Sequence, residues 1–92
     1  MITYSISVRG SPKWKAAVLA AYDAGGGRAR GVETALRTLA RRAGLRVVTC
    51  REDGNGNGAR HYQATLGTRC RGGGHTPRVE VWVFTRKVGG AA

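Results

Sequence analysis

Residues 2–8 alternate. Ile2, Tyr4, Ile6 and Val8 fall on one parity and Thr3, Ser5 and Ser7 on the other, the pattern of a strand with one face buried. The period then changes. Trp14, Ala17, Val18, Ala21 and Tyr22 recur at helical spacing, with Ser11 offering an N-cap oxygen and Pro12 suited to the first helical position. Gly25, Gly26 and Gly27 stop this helix, since glycine accepts the left-handed conformation at a helix end. A second helix is expected over roughly Gly31 to Ala43. Its apolar face is Val32, Leu36, Leu39, Ala40 and Ala43, with Gly44 as the cap and Leu45 closing the hydrophobic contact beyond it. Thr34, Arg37, Thr38, Arg41 and Arg42 take the other side. Arg41 and Arg42 also suit the last turn, where the helix dipole favours cations.

From Leu45 onward the period is two. "LRVVTCR" is rich in β-branched residues, and "EDGNGNG" carries two Asn-Gly hairpin signals. "ARHYQATLGT" puts Tyr62, Ala64 and Leu66 on one face and His61, Gln63 and Thr65 on the other. After the turn cluster "CRGGGHTP" comes "RVEVWVFTR". Val79, Val81 and Val83 share one face of it, and Arg78, Glu80, Trp82, Phe84 and Arg86 the opposite one. The order is β-α-α-β-β-β. A half-polar sheet takes helices on one face only, so the expected fold is two-layer α+β, two helices packed on one face of a mostly antiparallel four-stranded sheet. One domain covers residues 1–88, and 89–92 fray. The polar face would carry Thr3, Ser5, Ser7, His61, Gln63 and Thr65, with Trp82 and Phe84 between Arg78 and Arg86.

Charge changes the picture most. Among 92 residues, 16 Lys+Arg stand against 5 Asp+Glu, a formal net charge of +11. That balance costs self-repulsion and favours a polyanion or an acidic protein surface as partner. The cations are almost all arginine, which forks onto phosphates and stacks on bases, although a GC-rich genome also inflates Arg, Gly and Ala together and a phage or other mobile element is a natural source of so small a chain. The 41% hydrophobic content argues against disorder. No apolar run is long enough to span a membrane, residues 1–10 do not read as a signal peptide, and two cysteines make no secreted framework, so the expected compartment is the cytoplasm.

Candidate chemistry narrows quickly. Cys50, His61, Cys70 and His75 are a ligand set that zinc accepts. With hairpin tips at 53–58 and 71–74, however, Cys50 faces His61 at one end of the sheet and Cys70 faces His75 at the other, about 25 Å away. The same distance forbids a disulfide. No triad, paired acids, phosphate loop, dinucleotide fingerprint or calcium loop is present. No metal or cofactor is expected, and an enzyme is the less favoured reading. Metal-free RNA cleavage would need an acid, a base and cations, for which His61, His75, Tyr62 and several arginines are the available groups. The element order, size and charge resemble those of the small RelE/ParE-type toxins, with two helices on an antiparallel sheet. That resemblance implies messenger-RNA cleavage by basic and aromatic residues of the sheet. It rests on topology, size and charge, without a matched motif, and assigns no catalytic position.

The loop "GTRCRGGGH" gathers Arg69, Arg71, His75 and Arg78 around a glycine tip, where backbone amides and guanidinium forks can meet phosphate. The favoured expectation is therefore a small nucleic-acid-binding protein, DNA or RNA. Arg37, Arg41 and Arg42 of the second helix and Arg69, Arg71 and Arg78 around the loop contact phosphates, and Arg86 beside the aromatics completes the site. Trp82 and Phe84 stack bases if the strand is single. With about six phosphate contacts, affinity falls roughly a thousandfold between 50 and 200 mM salt. The alternative is a compact inhibitor or adaptor on an acidic host protein, anchored by Trp82, Phe84 and nearby arginines. A strand edge could also pair with that partner or with a second copy.

Overall fold

The alternating and helical segments fold as their periods predict, with one strand more than expected. In the computed structural model, residues 2–56 and 59–87 are described; the tail at 89–92 lies outside them. The elements are β1 (Ile2–Gly10), α1 (Pro12–Gly25), β2 (Arg28–Ala29), α2 (Val32–Ala43), β3 (Arg46–Gly56), β4 (Ala59–Arg69) and β5 (His75–Lys87). They form an α+β arrangement whose antiparallel sheet has five strands, not four, in the order β2-β1-β5-β4-β3. The addition is β2, two residues between the helices that pair Ala29 with Ile2 and Arg28 with Thr3. Two residues carry no period, which is why the sequence pattern misses them.

β3, β4 and β5 are successive antiparallel neighbours, and β5 returns to pair along the whole of β1. The inward parity of each strand meets the helices. Tyr4, Val8, Ala64, Leu66, Val79, Val81 and Val83 are buried against Val18 and Ala21 of α1 and Ala35, Leu36, Leu39, Ala40 and Ala43 of α2. Deleting one of the fully buried leucines, Leu36, Leu39 or Leu66, costs about 2–5 kcal/mol.

The helix ends show how local sequence sets the layer. α2 stops at Gly44, φ +76°. The Gly44 amide donates to the Arg41 carbonyl and the Leu45 amide to the Ala40 carbonyl at 2.7 Å, while Leu45 buries its side chain. This is the double-bonded glycine ending with its hydrophobic closure. α1 begins at Pro12, but the expected Ser11 side-chain cap is not formed. Instead the Ser11 carbonyl accepts from the Lys15 amide at 2.9 Å. Beyond α1, Gly27 at φ +68° is buried, and its carbonyl accepts from the Tyr4 amide at 2.8 Å. Tyr22 crosses Tyr4 edge to face and donates its hydroxyl to the Tyr4 carbonyl at 2.8 Å. A Cβ on Gly27 would stand 2.9 Å from both the Tyr22 hydroxyl and that carbonyl.

Two expected registers need correction. β3 runs to Gly56 and β4 starts at Ala59, so the first hairpin turns later than a 53–58 tip allows. Irregularities between Val47 and Thr49 and between Glu52 and Gly54 add to the shift. Cys50 therefore faces Ala64, and His61 faces Gly54. At the other end Arg69, not Cys70, faces His75. Cys70 Sγ lies 2.7 Å from Thr76 Oγ1.

Candidate nucleic-acid interface

No helix covers the outward face of the sheet among the described residues. Register builds the surface there. Arg51, Gln63, Trp82 and Ser7 line up across β3, β4, β5 and β1. In the next row, His61, Phe84 and Ser5 align. Beyond the first row on its other side stand Thr65, Glu80 and Arg9. Side chains two residues apart on one strand face stand about 6.6 Å apart, so Trp82 and Phe84 form a short aromatic track on β5. His61 meets Phe84 edge to face with centroids 4.9 Å apart. Phe84 is 37% exposed, high for a large apolar side chain at mid-strand, and Trp82 is half-buried.

Cations frame this track. Arg51 donates to Gln63 Oε1 at 3.0 Å, which holds its guanidinium over the row that contains Trp82. Arg86 shares a shallow recess with Ser5, His61 and Phe84. Arg9 and Lys15 share a second recess with Ser7 and Trp82. Glu80, opposite Arg9, is the one acid in these rows. Side chains of both charge-bearing types present flexible donors to phosphate, while the aromatic faces are open to bases.

The expected site residues divide among five places. Trp82, Phe84 and Arg86 share the outward face with His61, as their parity predicts, and with Arg51 and Arg9, which the sequence reading did not place there; Lys15 of α1 lines the recess beside Trp82. Arg37, Arg41 and Arg69 meet instead in a groove on the helix side, between α2 and the β3–β4 part of the sheet. Arg42 points away from that groove, with a guanidinium nitrogen 3.8 Å from where a Cβ of Gly25 would stand. Arg71 sits exposed in the turn after β4.

Arg78 leaves the face on which its parity puts it. A register shift between Leu66 and Gly67 intervenes, and Arg78 Nε donates to Thr68 Oγ1 at 3.0 Å while its guanidinium lies 6.0 Å from the Trp14 ring of α1. An extra residue in a strand reverses parity locally, so Arg78 belongs to the helix side.

The groups named for RNA cleavage are dispersed. His61 faces outward and Tyr62 inward. His75 faces Arg69, seven residues along β4 from Tyr62, a distance of about 23 Å. His61 is thus on the face opposite Tyr62, and Tyr62 and His75 stand toward different ends of the helix-side groove. Cys50 is free, and partial desolvation against its neighbours, and less strongly the Glu33 carboxylate, push its thiol up. That is the wrong direction for a thiolate nucleophile. No group of three or more His, Cys, Asp or Glu side chains that could hold a metal ion occurs among the described residues. No helix among them is long and apolar enough to cross a membrane. No family model, curated protein or solved structure matches the chain.

Proposed function

We propose that the protein binds single-stranded nucleic acid across the outward face of its sheet. The observation that carries this reading is the alignment of Trp82, Phe84 and His61 on two central strands, uncovered by any described helix and framed by Arg9, Lys15, Arg51 and Arg86. A sheet with exposed aromatics at its centre and cations around them lets bases stack while phosphates run along the rim. A duplex keeps its bases stacked inside and could use only the rim. Hence the preference for a single strand.

The test is a fluorescence-anisotropy titration with short single- and double-stranded DNA and RNA. Single strands bind more tightly than duplexes of the same length, and Trp82→Ala with Phe84→Ala abolishes the preference. Equal binding of single strand and duplex, unaffected by these substitutions, sinks the reading. Trp14→Phe leaves Trp82 as the one tryptophan, so quenching of its fluorescence by an oligonucleotide reports base contact directly.

A further inference from the structure

The second basic surface lies on the other side of the sheet and is built differently. The groove between α2 and β3–β4 has a volume of about 1030 Å³. It follows the flank of α2 from Val32 to Gly44, a length of about 18 Å at 1.5 Å per residue. That is long for a small metabolite and matches about five or six residues of extended chain. The floor is apolar, with the half-buried Val32, Val47 and Tyr62 lying over the fully buried Leu36 and Ala40. The rim holds Arg37, Arg41, Arg46, Arg69 and His75 against one carboxylate, Glu33, which is ion-paired with Arg37.

We propose that this groove receives an acidic peptide segment of a partner protein, with apolar side chains on the floor and carboxylates on the arginine rim. Charge complementarity selects the sign: three separate elements, α2, β3 and β4, deliver arginines to one trough. The floor selects the class. Aliphatic side chains offer a phosphate chain nothing, and the one aromatic ring, Tyr62, is half-buried among them, whereas peptide recognition combines apolar anchors with a polar rim. Arginine binds carboxylates with the same paired geometry it uses for phosphates. The assignment does not rest on nucleic-acid binding by the opposite face.

The experiment selects peptides of about 12 residues from a random library on the full chain at near-physiological salt, where unspecific attraction beyond about 8 Å is screened. The selected peptides are then measured against Arg41→Glu plus Arg69→Glu and, separately, Trp82→Ala. Arg41 and Arg69 are exposed, so the double variant keeps its fold, which circular dichroism and thermal melting verify. Enriched peptides carry several acids and at least two large apolar residues; the double reversal weakens them at least about tenfold and Trp82→Ala leaves them unchanged. Absence of such peptides, or undiminished binding to the double variant, overturns the proposal. So does loss of oligonucleotide binding in the double variant with retention in Trp82→Ala plus Phe84→Ala, which makes the groove a nucleic-acid site.

Discussion

Stacking and phosphate contact leave different marks on a binding curve, and the outward face separates them by residue. Replacing Trp82 by alanine removes an aromatic surface and no charge. Base–aromatic stacking contributes about 1–3 kcal/mol per base, so Kd rises about 5- to 150-fold and by the same factor at every salt concentration. Replacing Arg51 or Arg86 removes a cation beside the track. Each phosphate contact on a single strand contributes about −0.7 to the slope of log K against log salt, so each substitution flattens the slope by about 0.7. Four framing cations, Arg9, Lys15, Arg51 and Arg86, set that slope near −2.8 and the loss of affinity between 50 and 200 mM salt near fiftyfold. That is far shallower than six contacts on a duplex would give. The assay is anisotropy of a labelled oligonucleotide of about 12 nucleotides at four salt concentrations. Parallel lines for wild type and Trp82→Ala, displaced vertically, and a flatter line for Arg51→Ala are expected. A Trp82→Ala line that coincides with wild type refutes stacking. A slope steeper than about −5 shows that cations beyond this face carry the binding.

Other consequences are structural. Gly27→Ala forces a side chain into a positive-φ site and against both atoms of the Tyr22–Tyr4 hydrogen bond. A loss of about 2–3 kcal/mol, or about 10–20 °C in Tm, is expected by calorimetry, and an unchanged Tm contradicts the contact. Arg37→Ala, which removes an ion pair exposed on both sides, shifts Tm by less than about 3 °C, whereas Leu36→Ala lowers stability by about 2–5 kcal/mol. With Cys70 replaced by serine, the Cys50 thiol reacts with a disulfide reagent on a pH profile displaced upward from that of a cysteine in a short unstructured peptide. Glu33→Gln moves that midpoint part of the way down, because Glu33 is the lesser cause and desolvation remains; a wild-type midpoint at or below the peptide's removes the argument.

Parity made most of the fold legible. The inward set Tyr4, Val8, Ala64, Leu66, Val79, Val81 and Val83 and the α2 stripe can be read off periods of 2 and 3.6. The outward set Ser5, Ser7, Gln63, Trp82 and Phe84 follows by subtraction. What parity cannot give is the offset between strands. Late turning of the β3–β4 hairpin and its irregular pairings moved Cys50 from His61 to Ala64, and the irregular pairing near Gly67 accompanies the turn of Arg78 to the other side. Nor does sequence distance show that Arg41 and Arg69 border the same groove, or that Lys15 of a helix lies in a recess with Trp82 of a strand. Each is a tertiary coincidence with no local signal. Ser11 failed as a side-chain cap for a different reason: its residue type permits the bond, but the backbone carbonyl alone closes the first turn.

The division of the arginines matters for how the charge acts. A net +11 on one continuous face would bind any polyanion with a steep salt dependence and little discrimination. Here two groups of cations differ in what they surround. Arg9, Lys15, Arg51 and Arg86 surround aromatic rings, and Arg37, Arg41, Arg46 and Arg69 surround aliphatic side chains. Charges farther apart than the Debye length, about 8 Å at physiological salt, are largely screened from one another. At low salt the two groups sum into one field. At physiological salt each group acts more locally, and what lies between its cations, rings or methyls, is expected to decide what stays bound.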